Sequence, residues 1–167
     1  MRTLAFAVVL AALVSPAVFA QALDSDSHVV TVTVQSIDDI DVSNAQVDLV
    51  IAINPGTGQG TDSDNTSTLN WATNGTGRRI TVQTSLATIK YPLYVQAGAV
   101  SGVATPGVGG SRGTPGAEVQ LSNSAQTLVN GIGLADGNCS LTYRATASVA
   151  VAPGTESHNV TYTLTTP

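Results

Sequence analysis

The chain has few charged residues and a single cysteine, and each shortage excludes a class of partner or of stabilising bond. Charged residues make up 10% of the 167 residues, with eleven acidic side chains against six basic ones. This balance argues against nucleic acid as a partner, because phosphate binding needs a basic face. Cys139 stands alone and has no partner for an internal disulfide, so core burial and strand pairing have to hold the fold together.

Residues 1–20 follow the three-part pattern of a secretory signal peptide. Arg2 precedes an apolar stretch over residues 4–13, and Val18-Phe19-Ala20 supplies a small-residue ending. The pattern predicts cleavage between Ala20 and Gln21. The apolar stretch is shorter than the roughly 20 residues of a membrane-spanning helix, and no later stretch is long and apolar enough. We therefore expect a secreted or cell-surface protein whose mature chain, residues 21–167, is one domain with no transmembrane segment.

After residue 20 the apolar residues alternate with polar ones, and no three-turn helical stripe occurs. Alternation of this kind predicts half-buried β-strands. The alternating runs lie at residues 29–40, 47–53, 69–73, 80–82, 91–95, 119–121, 128–132, 141–149 and 160–165. About eight or nine strands separated by turn signals predict an all-β fold, a single antiparallel β-sandwich of the immunoglobulin-like kind.

Turn residues predict one hairpin and two long loops. The connection over residues 74–77 (Asn-Gly-Thr-Gly) lies between two alternating runs, which is a strong hairpin signal. Residues 54–67 are Gly-rich and then acidic, and residues 98–116 contain seven glycines and two prolines. We expect both segments to be loops at the end of a sandwich, and loops of that length are typically functional or disordered. Pro92 marks its strand as an edge strand or as a strand that starts there.

One catalytic motif is present in form only. Residues 109–113 match the G-x-S-x-G nucleophile elbow around Ser111. The elbow needs a strand before the serine and a helix after it. Glycines precede the serine and Thr114-Pro115-Gly116 follows it, so we expect neither element. The histidine base would be His28 or His158, each at a predicted strand start. We predict that the protein is not an enzyme.

Three further features have both a functional and a structural interpretation. Asp62 and Asp64 form a D-x-D pair that could contribute to a calcium site, although calcium takes six to eight oxygen ligands. No other cofactor is indicated. Cys139 lies beside Asp136 rather than basic residues, which predicts an unreactive thiol. Trp71 is interpreted as the aromatic core residue between two sheets.

The mature chain resembles small secreted bacterial β-sandwich surface proteins of the pilin-like and WxL-like kinds. The resemblance covers nearly all of the mature chain. It lies in the opening strand at residues 29–40, the predicted hairpin at residues 69–82 with its W-A-T-N-G core, residues 119–132, and the closing part with L-T-Y at 141–143, Pro153-Gly154 and V-T-Y-T-L at 160–164. Trp71 is followed by Ala72-Thr73, so the WxL tripeptide is absent, as are the paired cysteines of chaperone–usher pilins. The resemblance implies a sandwich at the cell surface, and no functional residue transfers from it.

Two functions are compatible with these features. The first is a non-catalytic structural or adhesive protein, a fibre subunit that self-associates by β-strand addition or contacts cell-surface components. Residues 21–34 would then be the donor, because a polar start leads directly into a strongly β-forming run. The alternative is a monomeric secreted module that binds carbohydrate or a calcium-dependent partner through residues 54–67 and 98–116.

Overall fold

The computed structural model describes residues 25–107 and 109–167. The predicted signal peptide and its Ala20–Gln21 cleavage site lie outside these residues and stay predictions. The chain divides into two compact units, Met1–Thr33 and Val34–Pro167. In the first unit, the described residues 25–33 are exposed and form no strand.

The described residues of the second unit form ten β-strands. They are β1 (Asp38–Val42), β2 (Gln59–Thr73), β3 (Arg78–Thr84), β4 (Leu93–Ala97), β5 (Ser101–Ala104), β6 (Arg112–Pro115), β7 (Val119–Gln120), β8 (Gln126–Ile132), β9 (Ala135–Ser148) and β10 (Val160–Thr165). The described residues form no helix, so none there could cross a membrane. The all-β prediction is confirmed.

The strands form two antiparallel sheets. Sheet A has the order β1-β2-β9-β4-β7, and β5 also pairs with β9. Sheet B has the order β10-β3-β8-β6. Strand β9 organises sheet A, because β2 pairs with one of its edges while β4 and β5 pair with the other.

Both sheets contribute to one buried apolar cluster, which is the packing of a β-sandwich. Leu69 and Trp71 on β2 and Leu141 on β9 are at most 2% exposed, as are Ile80 and Val82 on β3. These side chains recur at every second position because successive residues of a strand point to opposite faces. The alternation in the sequence therefore located the core.

Strand β2 changes its inward face once. Its register with β9 shifts between Asp64 and Ser67, so one extra residue sits in β2. Such a bulge reverses which residues face the core. Asp64 stabilises it, because its carboxylate accepts hydrogen bonds from the Thr66 backbone N–H (2.9 Å) and from the Thr66 hydroxyl (2.8 Å).

Several sequence predictions are wrong. The residues 74–77 connection is not a hairpin, because β2 belongs to sheet A and β3 to sheet B. The turn carries the chain from one sheet to the other, and the residues of the turn do not indicate which sheet the next strand joins. The predicted loop at 54–67 is largely strand, since β2 begins at Gln59. The predicted loop at 98–116 contains β5 and β6.

Two predicted strands also differ from the structure. The run at residues 29–40 is strand only from Asp38 onward. Residues 47–53 form no ladder, although Val47, Leu49 and Ile51 pack against the core at alternate positions. Alternation is necessary for a half-buried strand, but a ladder also needs a partner with matching backbone groups.

Candidate functional site

Residues 29–34, here called the valine run, form an apolar stretch without a strand partner in the described chain. Val29, Val30, Val32 and Val34 are 91%, 71%, 82% and 80% exposed. Valine and threonine are strong strand formers because they fit a pleated surface. An exposed run of this composition is therefore a segment ready to pair with another strand.

Asn74 anchors the residues that follow the valine run. Its side-chain amide donates to the Gln35 carbonyl (2.7 Å), and its side-chain oxygen accepts from the Ile37 N–H (2.9 Å). The Asn74 N–H also donates to the Ile37 carbonyl (3.2 Å). Asn74 lies in the turn after β2, so the chain is held immediately before β1 begins.

Strand β10 is an edge strand with an unbroken register. Its six residues pair with β3 from Val160 opposite Thr84 to Thr165 opposite Arg79, with no bulge. The strand carries no charged residue and no proline. Ladder partners lie on one side of it only in the described chain.

The register shows which backbone groups of β10 face away from β3. The Ser85 N–H donates to the Asn159 carbonyl (3.0 Å), whereas the Thr84 N–H points to Ser122 (2.9 Å). Hydrogen-bonded and non-hydrogen-bonded pairs alternate along an antiparallel ladder. The N–H and C=O groups of alternate β10 residues therefore face the free edge; these residues are Val160, Tyr162 and Leu164.

Partly buried apolar residues surround the core cluster, and three of them belong to β10. Nine half-buried apolar residues pack against the buried cluster. All but Val100 come from β1, β10 or residues 43–53, which follow β1 in the chain; they are Ile40, Val42, Val47, Leu49, Ile51, Val160, Tyr162 and Leu164. These partly buried residues thus belong mainly to the two edge strands β1 and β10, which contact each other, and to the residues that follow β1.

A tyrosine pair connects the two sheets beside this surface. The hydroxyls of Tyr143 on β9 and Tyr162 on β10 lie 2.8 Å apart. Burial raises the pKa of both hydroxyls, most strongly for Tyr162. The pair is therefore neutral and acts as a hydrogen bond between sheets rather than as an acid or base.

A polar cluster fixes the start of β10. The His158 ring nitrogens lie 3.2 Å from the Thr84 hydroxyl and 3.1 Å from the Glu156 carboxylate. That carboxylate also accepts the N–H groups of Lys90 (2.9 Å) and Tyr91 (3.2 Å). Burial alone would raise the pKa of Glu156, but these N–H groups and His158 hold it below its ordinary value.

A hydroxyl, an imidazole and a carboxylate in line resemble a nucleophile, its base and its orienting acid. Thr84 is, however, only 2% exposed, so its hydroxyl is shielded from any substrate in solution. The Leu86 N–H also lies 3.5 Å from the same oxygen. These contacts make the cluster a clamp on the segments before β4 and β10. Of the three side chains, only His158 was a candidate from the sequence; Thr84 and Glu156 were not.

The formal elbow around Ser111 lies in a different environment. Ser111 directly precedes strand β6, and its hydroxyl accepts the Gly113 N–H at 3.2 Å. The geometry lacks the helix that an elbow requires after its serine. The His158 nitrogens contact Thr84 and Glu156 instead of Ser111.

Asp62 and Asp64 lie within strand β2, not in a loop. One Asp62 oxygen accepts the Val50 N–H at 2.6 Å and the other accepts the Ser63 N–H at 2.9 Å. Asp64 stabilises the bulge. In the part of the chain that the structure describes, no three His, Cys, Asp or Glu side chains come together as metal ligands. Both carboxylates thus have structural roles in the fold.

The interpretations of Cys139 and Trp71 agree with the structure. Cys139 is 2% exposed, and burial raises the pKa of its thiol to about 11. A thiol of this kind is protonated and unreactive at neutral pH. Trp71 is also 2% exposed, so its ring packs in the core and offers no platform for a sugar.

A repeat in the sequence, missed by strand patterns alone, links the valine run to β10. Residues 26–34 read D-S-H-V-V-T-V-T-V, and residues 156–164 read E-S-H-N-V-T-Y-T-L. Five positions are identical, and Asp26 matches Glu156. A search for internal repeats would have found the pair.

Comparisons with known proteins add no assignment. No family model, curated protein or solved structure matches the chain.

Proposed function

We propose that this chain is a non-catalytic, exported structural or adhesive protein whose subunits assemble by β-strand addition. The observation that carries the proposal is the valine run, which has the composition of a strand and four valines at least 71% exposed. Leaving so much β-forming apolar surface in water is unfavourable, and pairing with another copy would bury it. In strand addition the backbone supplies affinity, and alternate side chains supply specificity.

Export is part of the proposal. The pattern of residues 1–20 supports it, as does the lone buried thiol, which needs no protection from an oxidising compartment. The low charge fraction, 10%, leaves hydroxyl and amide groups to keep the surface soluble. We further propose that the two sheets form an immunoglobulin-like sandwich, supported by the buried Trp71 between them.

The test is assembly of the mature chain, residues 21–167. Size-exclusion chromatography over a range of concentrations, followed by negative-stain electron microscopy, should show oligomers that grow into fibres. Deleting residues 21–34 should leave a monomer that melts cooperatively. Fibres that persist after the deletion would exclude the valine run as donor.

A pair of point variants makes the test more specific. Val32→Asp places a charge among the valines, whereas Thr33→Asp places the same charge on the opposite face of the strand. We expect Val32→Asp to raise the concentration needed for assembly at least 10-fold and Thr33→Asp to change it by less than about 3-fold, because only the valine face becomes buried. Equal effects would mean that net charge, not strand addition, controls assembly.

The binding-module alternative makes a different prediction. A melting temperature that rises with calcium, in a chain that stays monomeric at every concentration, would contradict the fibre proposal and support a calcium-dependent module. Asp62→Asn and Asp64→Asn variants would then have to abolish the calcium effect.

A further inference from the structure

The five edge strands of the two sheets, β1, β5, β6, β7 and β10, differ in how open they are to another strand. Strand β5 has four residues, and its Gly102 has a φ of +110°, outside the range of a regular strand. Strand β1 carries Asp38, Asp39 and Asp41, and charged residues discourage edge pairing. Strand β6 contains Pro115, and its Gly113 has a φ of +90°, outside the range of a regular strand. Strand β7 has only two residues. Strand β10 alone among them is regular, uncharged and six residues long.

The valine run and β10 match each other in length and chemistry. Val30, Val32 and Val34 alternate with threonines, as Val160, Tyr162 and Leu164 do. Neither segment carries a charge, so pairing them buries no ion. The repeat at residues 26–34 and 156–164 shows that the valine run has the sequence of a strand that this fold already accepts at a sheet edge.

The half-buried apolar residues explain what an added strand would gain. A strand beside β10 would continue sheet B, and its inward side chains would extend the inner face formed by Val160, Tyr162 and Leu164. Its backbone would satisfy the outward N–H and C=O groups of these three residues. Hydrogen bonding and apolar burial thus favour the same position.

We infer that the free edge of β10 is the acceptor and that its partner is the valine run of a second copy of this chain. This inference rests on the proposed strand-addition function and specifies its second surface. Each copy has one donor and one acceptor on different parts of the chain, so the contact is head-to-tail. Repetition of such a contact generates a filament or a closed ring.

Proline at an outward-facing residue of β10 tests the acceptor. Leu164→Pro removes an N–H that points to the free edge and leaves the β3 ladder intact, a position where strands tolerate proline. Leu164→Ala is the matched control, because it loses the same side chain and keeps the N–H. Both variants are made in the full mature chain, and cooperative thermal melting of each verifies its fold.

The expected result is at least a 10-fold higher assembly concentration for Leu164→Pro than for Leu164→Ala, measured by size-exclusion chromatography. Equal assembly of the two variants would overturn the β10 inference while leaving strand addition itself in place. A wild-type chain that stays monomeric would instead overturn the proposed function. If Leu164→Pro fails to fold, Val160→Pro against Val160→Ala repeats the comparison at the first residue of the strand.

Cross-linking identifies which copy supplies the donor. Thr33→Cys and Thr163→Cys are prepared as separate proteins with different tags, mixed and oxidised; Cys139 is buried and does not interfere. Thr31→Cys is prepared in the same way to sample the neighbouring register, and a disulfide-linked pair carrying both tags is expected for one of the two donors. A Thr33→Cys/Thr163→Cys double variant that forms only an internal disulfide would show pairing within one chain and overturn the intermolecular contact.

Discussion

Near the two ends of the described chain, two similar nine-residue segments, identical at five positions, lie in opposite environments. In residues 156–164, His158 is clamped between Thr84 and Glu156, and the side chains of Val160, Tyr162 and Leu164 pack on the core. In residues 26–34, His28 is exposed and Val32 is 82% exposed. The sequence of a strand thus determines what it can pair with, and the partner determines whether it pairs.

The largest expected difference between the two ends is in how much a buried apolar side chain contributes to the free energy of unfolding. Tyr162→Ala should lower the free energy of unfolding by about 3 kcal/mol, because it removes a largely buried ring and its bond to Tyr143. Val32→Ala in the valine run should change it by less than about 0.5 kcal/mol. Urea unfolding below the assembly concentration measures both. A Val32→Ala cost near that of Tyr162→Ala would show that the valine run packs within its own molecule.

The acidic residue before each strand gives the next difference. Glu156→Gln should cost about 1–3 kcal/mol at neutral pH, because the carboxylate accepts two backbone N–H groups and contacts His158. Asp26→Asn should cost less than about 0.5 kcal/mol, since Asp26 contacts only the Ser27 N–H of its own segment.

The pH dependence sharpens the same comparison. Because the pKa of Glu156 is lowered in the folded protein, its stabilisation is present above the ordinary carboxyl pKa of 4.5 and is lost as pH falls below it. The gap between wild type and Glu156→Gln should therefore narrow in acid. A gap that stays constant from pH 7 to pH 3 would show that the charge on Glu156 does not contribute.

The smallest of the three expected destabilisations concerns the hydrogen bonds that hold the residues between the valine run and β1. Asn74→Ala should cost about 1 kcal/mol, because two side-chain hydrogen bonds to Gln35 and Ile37 are lost at an exposed site. Hydrogen exchange should become faster at Ile37 and stay unchanged across β10. Equal acceleration at both places would mean that Asn74 supports the whole unit.

Much of the fold could be predicted because alternation reports burial directly. The runs around Leu141 and Tyr162 became β9 and β10, and β4 begins just after Pro92 as expected. The partner of each strand could not be predicted. The residues 74–77 turn has hairpin chemistry, yet β2 pairs with β1 and β9 and β3 pairs with β8 and β10. Pairing depends on residues far apart in the chain.

The proposed donor and acceptor strands also differ in how far the sequence predicts them. The proposed donor, residues 21–34, was already predicted from the sequence, because a β-forming run is a local property. The acceptor was not, because an edge strand is recognised only once the order of the whole sheet is known. Glu156 and Thr84 were missed for the same reason, since contacts 66 and 74 residues distant in sequence join them to the Lys90 N–H and to His158. Asp62 and Asp64 were interpreted as part of a loop because the bulge disguises the alternation of β2.

The central position of β9 has a kinetic consequence. Strands β2, β4 and β5 all need β9, which starts only at Ala135, to complete their pairing in sheet A, and β3 needs β8 and β10. Ladders between residues so distant form slowly, because the intervening loops have to close first. A chain synthesised from its N-terminus therefore presents the valine run long before sheet A can form. For that interval, the chance of early aggregation depends on the first strand-forming segment and not on the finished fold.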